Sequence, residues 1–489
     1  VHTDVDVLIV GAGLSGINAA YRVHERNPGA SYTIFEGRDS LGGTWDLFRY
    51  PGVRSDSDFF TLAFPFNPWR GKEAIVTGEQ IRDYLDATTR KYGIDGHIEY
   101  NTRVISVDWS SQDKRWTVTA ERGGKQFETT ARFVVACTGY YDYESPYDPG
   151  FAGIEDFTGE VAHPQFWPQD LDYSGKKVVV IGSGATAVTV VPAMAKRAAS
   201  VTMLQRTPTY ILAQPWTDPI GDVARKILPA KSAHYAIRAK NTGLQWGLYQ
   251  VSQRRPKFVR SLIRKLAVHG VGGNADLVDE HFNPPYEPWD QRLCIAPGGD
   301  FYAAIKAGKA TVVTDQIRRF VEKGIELESG EVLEADIVVP ATGLALKVFG
   351  GITASVNGHH KDPANQVVWN GAMMDEVPNF AFCIGYVNLS WTMRSDMTAR
   401  LVAKVVERLL TDPELVVAPE SGGIEAERPL FDMESGYLAR GAHLMPRVTD
   451  SYPWTMKQNF MVDSWNTNRA DLDDGLIWST ASVGAAANA

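Results

Sequence analysis

Two glycine-rich turns in this chain have the spacing that lets a backbone approach a pyrophosphate. The first lies in VDVLIVGAGLSGINAAYRVHE, where Gly11, Gly13 and Gly16 separate a buried-strand run from a helix with an apolar face. In that context the first glycine permits the tight turn and the second lets the phosphates come close. The third lets helix pack on strand, with the helix N-terminus facing the anion. The following strand, SYTIFE, ends at Glu36, twenty residues after Gly16, where a carboxylate can accept hydrogen bonds from ribose hydroxyls. The second turn, in KKVVVIGSGATAVTVVPAMA, puts Gly182, Gly184 and Ala187 in the same places, with Ser183 and Thr186 between and after them. Its next strand, SVTMLQRT, ends at Arg206 and Thr207 instead of an acid. A guanidinium there binds a 2'-phosphate that a carboxylate would repel; the alternative is a solvated strand-end cation. The first site therefore suits a dinucleotide with a free ribose, such as FAD, and the second suits NADP in preference to NAD. Together they imply a flavoprotein that takes hydride from NADPH, with the chemistry supplied by the cofactors.

The elements that must hold these turns are alternating strands and helices. The 489 residues, 44% of them hydrophobic, are enough for several cores. The expected class is α/β, with two Rossmann-like dinucleotide-binding domains and a helical insertion in the second. The FAD-binding domain is expected to be discontinuous, built from 1–144 and 380–489. The NADP-binding domain comprises 145–208, which starts with the interdomain linker, and 292–379. Between them 209–291 breaks the strand–helix alternation, and segments such as KFVRSLIRKLAVHG have helical periodicity. This insertion carries a run of Arg and Lys between Arg254 and Lys265. A solvated helix face is the expected reading, a membrane or partner surface the alternative. A net charge of -9 gives no basic field for nucleic acid. Cys137, Cys294 and Cys383 form neither a CxxC pair nor a metal ladder, which argues for a reducing compartment and against a dithiol flavoenzyme. VHTDVDVLIVGAG runs directly into a strand without a basic leader, and the apolar run from Val178 is broken by Gly182, Gly184 and Pro192. A cytoplasmic protein without a membrane span is expected. The tail ASVGAAANA has no bulky residues and is expected to be disordered.

One stretch has no local structural reason. FTGEVAHPQFWP, from Phe157 to Pro168, shows neither helical nor alternating period. It resembles the fingerprint FxGxxxHxxxWP of single-chain, FAD- and NADPH-dependent Baeyer–Villiger monooxygenases, at Phe157, Gly159, His163, Trp167 and Pro168. GTWDLFRYPGVRSD, from Gly43 to Asp56, resembles that family's GxWxxxxYPGxxxD, and ACTG at 136–139 and DIVVPATG at 336–343 are also family-like. Details such as PWDQRLC look closest to the actinobacterial ethionamide-activating branch.

The resemblance implies that NADPH reduces tightly bound FAD and that O2 then forms a C4a-peroxyflavin. This inserts one oxygen beside a ketone carbonyl, giving an ester or lactone and water. Open-chain and aryl ketones would be substrates, with thioether sulfoxidation as a side activity. It further implies that Arg292 stabilises the peroxide and alkoxide anions, and that Asp56 orients it. An ordinary loop arginine paired with Asp290, and a turn aspartate within RSDSD, are the alternatives for these two. Gly43, Thr44, Trp45, Val104, Thr138, Thr342 and Gly343 would join the cofactor contacts, Trp45 being equally readable as a core aromatic. His163 is expected to hold the linker that couples domain position to the flavin, not to transfer a proton. Two other readings stand beside this one: a flavin-containing monooxygenase oxygenating soft sulfur or nitrogen, and a non-catalytic flavin-binding sensor.

Overall fold

The computed structural model describes residues 4–291, 293–426, 428–431 and 436–480. Two sheets carry the two glycine turns. In the first, the strand Val5–Val10 lies between Tyr32–Phe35 and the end of the long strand Lys125–Ala136, all parallel. Apart from the partly exposed Asp6, its residues are apolar and buried on both faces. In the second, Lys177–Ile181 lies between Ser200–Gln205 and Ile337–Pro340, again all parallel. Thus Ala136 and Pro340 end the same kind of strand, as the family-like segments at 136–139 and 336–343 require.

The equivalence extends to single hydrogen bonds. Gly11 N donates to Phe35 O at 2.8 Å, and Gly182 N donates to Leu204 O at 2.8 Å. Both glycines have positive φ, and a Cβ would meet Cys137 O at 2.8 Å on Gly11 and Ala341 O at 2.3 Å on Gly182. Only glycine satisfies both demands.

The chain returns to the first sheet earlier than position 380. Thr353–Val356 pairs in parallel with Ser106–Trp109, and His359–His360 extends that edge, before Phe380–Phe382 joins the other side of Val134–Ala136. Short strands of this kind have too few residues to show a period. The helix Trp391–Leu409 then packs along Leu14–Arg26, fastened by the Arg22–Asp396 ion pair at 2.8 Å.

The insertion is helical as expected. Ile211–Gln214 leads into helices Pro219–Ile227, Ala230–Arg254, Pro256–Gly270 and Ala275–His281, and Cys294–Pro297 closes the excursion by pairing in parallel with Ile211–Gln214. Asp218 caps the first helix by accepting from Gly221 N at 2.9 Å, and Pro219 and Pro256 each stand in a first turn, where a missing N–H costs nothing. Among the described residues no helix is long and apolar enough to cross a membrane. The alanine-rich tail expected to be disordered lies outside the described residues.

Candidate active site

Both glycine turns open into one cavity of about 1250 Å3. That exceeds the ~300–1,000 Å3 of a single small-ligand pocket and leaves room for more than one bound molecule. Its wall takes Gly11, Gly13 and Glu36 from the first unit, and Gly182, Ser183, Gly184, Thr186, Arg206 and Thr207 from the second. Gly43, Thr44, Trp45, Val104, Thr138, Thr342 and Gly343 also line it. Gly16 and Ala187 lie beneath, where a Cβ on Gly16 would sit 1.8 Å from Gly11 O and Ala187 is fully buried. These two serve the helix–strand contact, as their place in the motif requires.

The two ribose-clamp positions differ in electrostatics. Glu36 is buried, and its carboxylate accepts from Ala12 N at 2.6 Å and Arg38 N at 2.9 Å. Burial pushes its pKa up, and those two backbone donors oppose the shift. Each carboxylate oxygen keeps a lone pair for a ribose hydroxyl. Arg206 is exposed at the end of its strand and has no carboxylate partner among the described residues. Thr342 Oγ1, buried on the cavity wall, has no hydrogen-bond partner among the described residues, as expected of a hydroxyl aimed at a bound group. These features fit two dinucleotides, one at each turn.

The run RSDSD divides its labour. Asp58 is buried and caps the turn Phe59–Leu62, accepting from Thr61 N at 3.0 Å and Asn241 Nδ2 at 2.8 Å, with Gln245 on its other oxygen. Asp56, two residues earlier, lies on the cavity wall. The capping role therefore belongs to Asp58. Arg292 lies outside the described residues; its neighbours Gln291 and Cys294 are on the cavity wall.

The linker stretch stays clear of the cavity. The Phe157 ring packs on Phe320 with centroids 5.9 Å apart, and Gly159 passes so close to Asp336 that a Cβ would lie 2.6 Å from its carbonyl. Glu160–Val161 forms the edge strand of the second sheet. His163 Nδ1 accepts from Gln165 N at 3.1 Å and so caps the turn Pro164–Phe166; burial holds its pKa below the ordinary value. Trp167 packs against the core of the second sheet, and Pro168 follows it. The linker meets the cavity wall through Gln165, whose Nε2 donates to Asp142 O at 2.6 Å.

Sequence reasoning passed over Gln165, Arg54 and Tyr50. The Arg54 guanidinium is bidentate on Asp300, one contact at 3.3 Å and the other shorter, and lies over the Trp216 ring at 5.5 Å. It joins the segment that carries Asp56 to the helix Asp300–Lys306 of the second domain. The Tyr50 side chain is buried, which pushes its pKa up to about 12, and Thr186 across the domain boundary partly offsets that shift. Arg54 and Tyr50 both fall inside the GTWDLFRYPGVRSD motif, and that was the available signal. Cys137 and Cys383, remote in sequence, come together just past the ends of adjoining parallel strands, and burial raises the Cys137 thiol pKa well above its usual value.

Residues 59–222 match the family described as flavin-binding monooxygenase-like, and residues 9–70 match an NAD(P)-binding Rossmann-like domain. Over 472 residues, 96% of each chain, the protein is 45% identical to the FAD-containing monooxygenase EthA of Mycobacterium tuberculosis. To EthA of Mycolicibacterium smegmatis it is 45% identical over 460 residues, 94% of this chain and 93% of that one. The solved structure of an oxidized steroid monooxygenase bound to NADP covers 97% of this chain and 99% of its own with a TM-score of 0.76, at 21% identity, which speaks for a shared fold. With relatives at such identity over nearly the full length of both chains, and two glycine turns facing one cavity, the chain belongs to the family of FAD-containing flavin monooxygenases that includes EthA.

Proposed function

We propose that this flavin monooxygenase is a Baeyer–Villiger enzyme, using NADPH and O2 to convert a ketone into an ester or lactone plus water, with thioether sulfoxidation as a side reaction. The observation that carries the reading is the shared cavity, whose wall holds both glycine turns, Asp56 and the residues beside Arg292. FAD, when bound, supplies the hydride acceptor and the oxygen chemistry. The protein supplies position and charge. The amides of the turn at Gly11 and Gly13 and the carboxylate of Glu36 hold the FAD diphosphate and ribose. The turn at Gly182 and Gly184, with Arg206, Ser183 and Thr207, holds NADP.

On the family resemblance, Arg292 is the residue that supplies positive charge to the alkoxide developing on the ketone oxygen, with Asp56 as its orienting partner. One well-placed donor of this kind is worth on the order of 3 kcal/mol. His163 caps its turn and is not on the cavity wall, so it is not the proton donor. Arg54 and Tyr50 tie the Asp56 segment to the second domain.

Oxygenation of soft sulfur or nitrogen is the second reading. Trp167, the position that separates the two groups in the fingerprint, packs into the core of the second sheet and is not on the cavity wall, so it does not choose between them by contact. The test is to incubate the FAD-loaded protein with NADPH in aerated buffer with phenylacetone or 2-octanone and to identify products by gas chromatography. An ester is expected, and Arg292→Ala should keep its yellow flavin yet lose ester formation. Oxidation of a thioether with no ester from any ketone would favour the second reading.

A further inference from the structure

The cations expected on a solvated helix face share their helices with large apolar side chains that point outward. The helix Pro219–Ile227 is inside out. Ile220, Val223 and Ile227 recur at i, i+3 and i+7 and so form one stripe, and they are 65%, 54% and 73% exposed. The opposite side faces the protein: Arg225 lies over the Phe60 ring at 5.2 Å and pairs with Asp222, and Gly221 is buried. An ordinary surface helix would bury the apolar stripe and leave the charges in water.

A second apolar row appears on Pro256–Gly270. Val259, Ile263 and Ala267 are buried, while the adjoining row of Phe258, Leu262 and Leu266 is exposed. Exposed apolar surface on this scale is unusual for a protein that meets only water.

Charge identifies what covers it. Residues 219–270 contain eleven Lys and Arg and one Asp, a net of +10 within a chain whose total is -9. Lys226, Lys231, Arg254, Arg255, Lys257 and Lys265 are exposed and have no ion-pair partner among the described residues. We propose that these exposed sides of the insertion form a peripheral docking surface for an anionic lipid bilayer. The apolar rows enter the boundary between headgroups and acyl chains, and the flanking cations meet anionic headgroups. A second copy of the chain seated symmetrically on the same patch would oppose two strongly positive surfaces. A nucleic acid would engage the cations but gain nothing from isoleucine, leucine and phenylalanine at the crest. None of these side chains lines the cavity, so the surface is independent of the oxidation chemistry.

The test is flotation of the FAD-loaded, full-length protein with vesicles of phosphatidylcholine alone or with about 30 mol% phosphatidylglycerol. The protein should float with the anionic vesicles and stay down with the neutral ones. Raising salt to about 0.5 M should cut the bound fraction roughly tenfold. Ile220→Glu with Ile227→Glu, and separately Lys257→Glu with Lys265→Glu, should each lower binding by at least about tenfold while leaving the flavin spectrum and NADPH oxidation unchanged. The proposal fails if the wild type floats with no vesicle, if it floats equally with neutral ones, or if both variant pairs still float. A dimer that sediments as a monomer after the isoleucine changes, in a protein that never floats, would assign the patch to self-association instead.

Discussion

Removing the Arg206 guanidinium should weaken the use of NADPH far more than that of NADH. Arg206 ends the strand Ser200–Gln205, lines the cavity beside Thr207, and is held by no carboxylate among the described residues, so its charge is available to a ligand. A charge-assisted hydrogen bond to a phosphate is worth roughly 1.5–3 kcal/mol when sheltered. Arg206 is exposed, so solvent screening points to the lower end, about 1.5–2 kcal/mol, or some 10–30-fold in affinity. Arg206→Ala should therefore raise KM for NADPH by about 10–30-fold and leave KM for NADH within about twofold, because NADH has no 2'-phosphate to lose. The limiting rate should stay near wild type, since the contact is made equally in ground and transition states. The assay is steady-state oxidation of each nucleotide by the FAD-loaded enzyme in air-saturated buffer. Equal rises for both nucleotides would mean that Arg206 supports the loop and not the phosphate. No rise for either would make it the solvated strand-end cation and would refute the reasoning.

Gly16→Ala should yield colourless protein, since its Cβ would fall 1.8 Å from Gly11 O and neither group can move without opening the turn; flavin absorbance per chain measures this directly. Arg54→Ala leaves Asp300 without its partner. Because Asp300 keeps 27% of its side-chain surface exposed, the loss should be about 2–3 kcal/mol, below that of a fully buried pair, in urea unfolding of the FAD-loaded protein. Arg54→Lys, which keeps the charge but not the two-pronged contact, should cost about 1 kcal/mol. His234 is buried with neither ring nitrogen hydrogen-bonded, and burial, with Arg238 nearby, lowers its pKa from 6.5 to about 4. The unfolded chain therefore binds the proton first, so stability held above pH 6.5 should decline as pH falls from 6.5 towards 4. His234→Leu should flatten that decline in urea midpoints taken across the range, and an unchanged slope would assign it to other groups.

The two turns were legible because everything that defines them is local. Strand, glycines, helix and the residue ending the next strand lie within thirty or so positions, and hydrogen-bond sterics admit few other conformations for such a run. What remained hidden depends on partners far along the chain. The return of Thr353–Val356 to the first sheet rests on pairing with Ser106–Trp109, and nothing in a four-residue strand announces its neighbour. Arg54 acquires meaning only beside Asp300, and Cys137 only beside Cys383. Periodicity likewise reveals that a helix has two unlike sides without saying which side faces the protein. Ile220, Val223 and Ile227 form the same stripe whether buried or bare, and only their exposure decides.

The helical excursion leaves Ile211–Gln214 and re-enters at Cys294–Pro297 as that strand's own neighbour, so it begins and ends on one small ribbon. Such a module invites exchange between relatives, because length changes between fixed anchors cost little, about 0.6 kcal/mol per doubling of a flexible loop. The graft has a polar seam with its host. Asn241 and Gln245 of the module donate to the buried carboxylate of Asp58 in the host, and Arg238 donates to the carbonyls of Phe60 and Ala63, each at 2.9 Å. A chimera that omits Asn241 and Gln245 would leave the buried Asp58, two positions from Asp56, with its Thr61 bonds alone among the described residues, so a transplanted module has to bring that polar seat with it.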